Sequence, residues 1–144
     1  MPTVRRSVLV PHPCAMMFAL VEDCERYPQF LPWCSGAEVF ERTEELTRAR
    51  LDIDYRGLKT HIATVNPKEP PGHITLELVE GPFEQFKGDW HFTPLGEAGC
   101  RVELALDYTF KYRAIEAVLR PVFGHIAETL VDCFVERAER TAQA

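Results

Sequence analysis

The chain has 144 residues, 46 % of them apolar and 26 % charged, with a formal net charge of −6 at pH 7. That is the composition of one ordinary domain, 1–144, with room for a sizeable core. The acidic balance argues against broad attraction to nucleic acid, DNA included, because neutralising phosphate needs clustered Lys and Arg. No stretch approaches the roughly 20 apolar residues of a membrane span, and the N-terminus lacks a secretion-signal core, so a cytoplasmic protein is expected. Five cysteines, Cys14, Cys24, Cys34, Cys100 and Cys133, form no CxxC pair. They read as small buried thiols rather than as a disulfide framework or a zinc site, and no metal or catalytic cofactor is expected.

Thr3 to Val10 alternates as a strand, with Val4, Val8 and Val10 on one side. Arg6 falls on that apolar side, either snorkelling at a sheet edge, the favoured reading, or pointing inward as a charge. Pro11 and Pro13 stop the strand, and Pro13 suits the first turn of a short helix whose apolar face is Met16, Met17, Leu20 and Val21. Asp23 is placed to cap a second short helix over 24–27, which Pro28 ends. The next run, Tyr27-Pro28-Gln29-Phe30-Leu31-Pro32-Trp33-Cys34-Ser35-Gly36, crowds large aromatics among prolines. Such a rigid turn can plug a core or rim an apolar pocket.

From Ala37 to Phe110 strand follows strand. The expected segments are 37–42, 46–55, 58–65, 74–78, 86–92 and 102–110, punctuated by Gly57, Asn66-Pro67, Pro70-Pro71-Gly72, Gly81-Pro82 and Gly96 to Gly99. The basic residues between Arg42 and Arg56 are interleaved with Glu44, Glu45, Asp52 and Asp54, the pattern of a solvated strand face. Each strand has one wet and one apolar face and the connections are short, so the sheet is expected to be antiparallel.

Ala114 to Arg140 carries Ile115, Leu119, Val122, Phe123, Ile126, Leu130, Val131 and Phe134 at three- and four-residue steps, the stripe of a long amphipathic helix. Pro121 lies inside it, where a kink or a restart is expected. Burying about eight of those side chains contributes on the order of 15 kcal/mol before the cost of ordering. This predicts an α+β fold: a curved antiparallel sheet of six or seven strands around a long C-terminal helix, with two short helices after the first strand.

That order of elements resembles the helix-grip fold of START-like and Bet v 1-like lipid carriers. More narrowly, Val10-Pro11, Phe18-Ala19-Leu20-Val21, the aromatic turn 27–36, Gly81-Pro82-Phe83, Trp90-His91-Phe92-Thr93-Pro94-Leu95 and Pro121-Val122-Phe123 resemble the bacterial ribosome-association-toxin (RatA) family. That polyketide cyclase-like group is similar to mitochondrial coenzyme-Q-binding proteins that support respiration. The resemblance implies a non-enzymatic binder of a hydrophobic molecule, ubiquinone or a related isoprenoid lipid, held as a ligand rather than a cofactor. A transient contact with the inner-membrane surface is compatible with such a role.

The expected ligand-binding residues are Tyr27, Phe30, Pro32, Trp33 and Ser35 from the aromatic turn. The sheet adds Phe83, Trp90, Phe92 and Tyr108, and the helix adds Phe123, Ile126 and Leu130. The alternative is that these side chains simply fill the core. A quinone head only accepts hydrogen bonds, so Arg6, Ser35, Thr60 and the Trp33 indole are candidate donors.

Two rival functions remain open. The family name points to contact with the large ribosomal subunit, through a small patch or protein alone in a chain this acidic. A cyclase-like enzyme would need a convergent acid and base in the pocket. His61 and His91 fall on wet strand faces, His12 and His73 near turns, and His125 at the edge of the helix stripe. No nucleophile elbow or phosphate loop is present, and no catalytic residue is assigned.

Overall fold

A computed structural model describes residues 3–143. β1 (Thr3–Val10) is followed by α1 (Cys14–Glu22) and a short 3-10 helix (Cys24–Gln29). Six strands come next: β2 (Cys34–Arg42), β3 (Leu46–Tyr55), β4 (Leu58–Glu69), β5 (His73–Glu80), β6 (Phe83–Leu95) and β7 (Gly99–Phe110). The chain ends in α2 (Arg113–Gln143).

All seven strands form one antiparallel sheet in the order β1-β7-β6-β5-β4-β3-β2. Only the β1–β7 pairing departs from sequence order, and it brings the two ends of the sheet-forming chain together. Strict alternation sorts the faces. In β7, Cys100, Val102, Leu104, Leu106, Tyr108 and Phe110 are buried while Arg101 is exposed. Phe123, Ile126, Ala127, Val131 and Phe134 of α2 join that inner face in one core.

The strands run longer than their apolar patterns. β4 continues through Asn66 and Pro67, where a break was expected, because Pro67 sits opposite Leu46 at the strand end and the Lys68 amide still finds the Glu45 carbonyl at 2.8 Å. β2 begins at Cys34 rather than 37, with irregular register at 34–36 and 39–41. The β3–β4 hairpin turns on Arg56 (φ 53°) and Gly57 (φ 84°), the two positive φ values of a tight two-residue turn.

Other local expectations are corrected. Pro13 is the cap before α1 rather than a member of its first turn. Asp23 occupies the cap position of the 3-10 helix, but its carboxylate pairs with Arg26 at 2.8 Å and caps nothing. Pro28 lies inside that helix rather than ending it. The helix α2 runs through Pro121 without restarting. Pro121 and Ala117, whose carbonyl loses its partner, are both on the exposed side, where water can replace the bond. Arg6 lies on the edge strand yet faces α2, with Asp132 at 3.2 Å and a hydrogen bond to the Glu128 carbonyl.

Candidate functional site

The inner face and α2 do not meet everywhere. A mostly apolar hollow of about 110 Å³ remains between them. Its floor is Ala49, Leu51 and Ile53 of β3, Ile62, Thr64 and Asn66 of β4, and Leu76 of β5. Phe86 and Trp90 of β6 and Leu106 and Tyr108 of β7 complete that wall. Phe123, Ile126, Ala127, Leu130 and Phe134 form the roof, a single stripe of α2 at three- and four-residue steps. Cys24, Tyr27 and Trp33 close the end beneath the short helix.

Small residues keep the space open. Ala49 and Ala127 put only methyl groups where neighbouring positions carry larger side chains. Gly88 lies between Leu76 and Leu106 in register, and a Cβ there would come within 2.9 Å and 2.7 Å of their methyl groups. The absence of a side chain at Gly88 leaves room for a methyl group of each leucine.

Of the residues expected at a ligand, Tyr27, Trp33, Trp90, Tyr108, Phe123, Ile126 and Leu130 line the hollow and five others do not. Pro32 and Ser35 are exposed, and the Ser35 hydroxyl donates to the Asp52 carbonyl at 3.4 Å. Phe30 packs edge-on against Tyr27 and Phe134 from outside, its ring covered by Arg137 at 5.1 Å. Phe83 is buried beyond the wall, against Phe110 and Phe123. Phe92 sits behind Trp90 against Phe18 of α1. Arg6, committed to α2, and Thr60 are also outside the lining.

The lining is chemically quiet. Burial pushes the Cys24 thiol up to about 12 and lifts the Tyr27 and Tyr108 phenols above their ordinary value, so all three are neutral at neutral pH. Tyr27 donates to the Val21 carbonyl. Among the described residues the lining has no carboxylate, imidazole or ammonium group. Thr64 donates to Asn66 Oδ1 at 2.7 Å. The Trp33 indole Nε1, fully buried, has no hydrogen-bond partner, a state that costs about 1 to 3 kcal/mol.

Beside the hollow, under α1, lies a polar cluster that the sequence reading missed. Glu22 Oε1 accepts from Lys68 (2.8 Å), Thr47 (2.5 Å) and Arg42 (3.0 Å), while Arg42 also forms a two-point bridge to Glu25 at 2.7 Å. Lys68 keeps only 6 % of its side chain exposed. Burial by itself raises the Glu22 carboxyl, yet its hydrogen bonds to Lys68, Thr47 and Arg42 outweigh this and hold it below the ordinary range. The Arg42 hydrogen bond holds the Glu25 carboxyl down at about 2.

Comparison with known proteins bears on this arrangement. The family model described as polyketide cyclase / dehydrase and lipid transport matches residues 10–135. The chain is 39 % identical over 137 residues to the ribosome association toxin RatA of Pseudomonas aeruginosa, covering 95 % of each protein. It is 24 % identical over 143 residues to the mitochondrial coenzyme Q-binding protein coq10 of Schizosaccharomyces pombe, covering 94 % of this chain and 85 % of that protein. In fold it is similar to the Zhui aromatase/cyclase of a Streptomyces species, with a TM-score of 0.82 at 18 % identity over 99 % of this chain and 96 % of that one.

Proposed function

The chain belongs to the polyketide cyclase / dehydrase and lipid transport family and, within it, to the RatA group, and from that membership we propose that it holds a prenyl-like apolar guest, an isoprenoid quinone such as ubiquinone, without chemically altering it. One observation carries this reading: an apolar hollow between sheet and helix whose titratable neighbours are neutral. General acid–base work needs a proton donor and acceptor near neutral pH, and this lining supplies neither.

Size sets what fits at rest. A cavity of about 150 Å³ takes up benzene, so about 110 Å³ suits roughly one prenyl unit. Five carbons at about 0.8 kcal/mol each give about 4 kcal/mol, a millimolar affinity. Tighter holding of a longer tail therefore requires α2 to part from the sheet. The Trp33 N–H is a donor for a quinone oxygen that displaces its present neighbours.

The test is solvent extraction of the native protein with mass analysis of the extract, paired with melting in the presence of ubiquinone bearing two prenyl units. A co-extracted quinone and a raised Tm are expected. An extract free of quinone and lipid, with Tm unmoved, would end this reading.

A second reading is favoured by the far higher identity to RatA than to coq10: contact with the large ribosomal subunit. It uses the outer surface and is compatible with a filled interior. Co-sedimentation with large subunits at low and moderate salt checks it. Retention at both salts is expected for a contact that does not rest on phosphate neutralisation, and absence at both would remove the reading.

A further inference from the structure

The outer face of the sheet carries a cluster that the hollow does not use. His73 of β5 stands opposite His91 of β6. The Phe92 amide donates to the Gly72 carbonyl at 2.8 Å, which makes His73 and His91 a non-hydrogen-bonded pair, the type whose side chains approach most closely. Their rings stack with centroids 4.3 Å apart and 9° between planes. Asp89 precedes His91 by two residues, so it shares that face. Its Oδ1 lies 2.8 Å from His73 Nε2 and accepts from the Thr75 hydroxyl at 3.1 Å. The neighbours Ile74, Trp90 and Phe92 are buried on the opposite face.

One ligand atom from each of His73, Asp89 and His91 lies within 4.8 Å of the others. We propose that these three residues bind a divalent transition metal of the zinc class, through two imidazole nitrogens and one carboxylate oxygen.

The donor set selects the class. Imidazole with carboxylate suits zinc and its borderline neighbours, whereas calcium or magnesium would seek a shell of oxygens. Thr75 supplies the outer hydrogen bond that orients a ligating carboxylate. Ligand bonds of about 2.0 to 2.2 Å require the group to contract, and the exposed His91 ring is the part free to turn. The ring nitrogen facing Asp89 must be without its proton to ligate, so metal competes with that hydrogen bond. His73 and Asp89, at 31 % and 27 % side-chain exposure, remain reachable from water. The site stands independently of the quinone and ribosome readings.

Zinc chloride titrated into the metal-free full chain, by calorimetry in a non-chelating buffer, tests the site. One equivalent is expected to bind and to raise Tm reversibly with chelator. His73→Ala with His91→Ala should abolish both effects, and Asp89→Asn should weaken binding about tenfold or more. His91→Gln, at the most exposed position, replaces the double variant if that fails to fold, and should also weaken binding at least tenfold. Absence of heat and of a Tm shift at millimolar zinc overturns the site. Undiminished binding in the His variants overturns it too, since the ligands would then lie elsewhere.

Discussion

Beneath α1 the Glu22 carboxylate is ringed by Lys68, Thr47 and Arg42, whereas next to it the space under α2 is left unfilled. Tyr27, Asn66 and Leu76 border both regions. The first is a set of charges whose burial is tolerable only because each is paired, so it fixes how α1, β2, β3 and β4 meet. The second has almost nothing to pair. It therefore accepts apolar matter of variable shape without breaking a directional bond. A rigid polar joint beside a soft void lets the fold keep its register while one wall moves.

The largest expected effect comes from the α2 roof of the hollow. Phe134, 1 % exposed, meets Tyr27, Phe30 and Trp90 edge-on. Phe134→Ala should lower unfolding free energy by about 4 kcal/mol in urea titration and let bulkier guests raise Tm. A loss under about 1 kcal/mol would mean that the hollow collapses freely and is no fixed feature.

Lys68→Ala attacks the other side of the comparison. Glu22 keeps Arg42 and Thr47, so a loss of about 3 kcal/mol is expected, at the low end for breaking a buried pair. Quinone binding should survive in the folded variant. If binding fails while the fold stands, the two regions are coupled rather than separate.

Ala127→Leu fills the hollow from the helix. Stability should change by no more than about 1 kcal/mol, because the added methyl groups enter empty space, while the Tm response to quinone disappears.

The smallest effect is in acid. Glu22 and Glu25 are both depressed in the folded state, Glu25 from 4.5 to about 2, so the stability they lend is present above about pH 4.5 and fades as pH falls toward 2. Arg42 and Glu25 are partly exposed, which limits that bridge to about 1 kcal/mol at most. Arg42→Gln should flatten the melting curve's pH dependence in that window, and an unchanged slope would assign acid sensitivity elsewhere.

The sequence was legible where periodicity alone decides the outcome. Val102, Leu104, Leu106, Tyr108 and Phe110 alternate against wet partners, and the α2 stripe repeats every three or four residues, so the succession of elements, the strand faces and the covering helix all followed, whereas the pairing of β1 with β7 did not. The site was legible only in part. Large aromatics announce themselves, but whether one lines a void or backs it depends on register, which is why Trp90 and Phe92 on the same face had different fates. Pro32 and Ser35 were misplaced because a turn between prolines has no period to read. Lys68 and Glu22 are 46 residues apart, and nothing local marks them as partners.

Gly88 shows how capacity can be governed from a position that contributes no side chain. A single added carbon there would displace Leu76 and Leu106, and the room they move into is the guest's. Substitution at this one spot on β6 thus works as a volume dial, trading lodging for density one methyl at a time while the outward His91 of the same strand stays where it is.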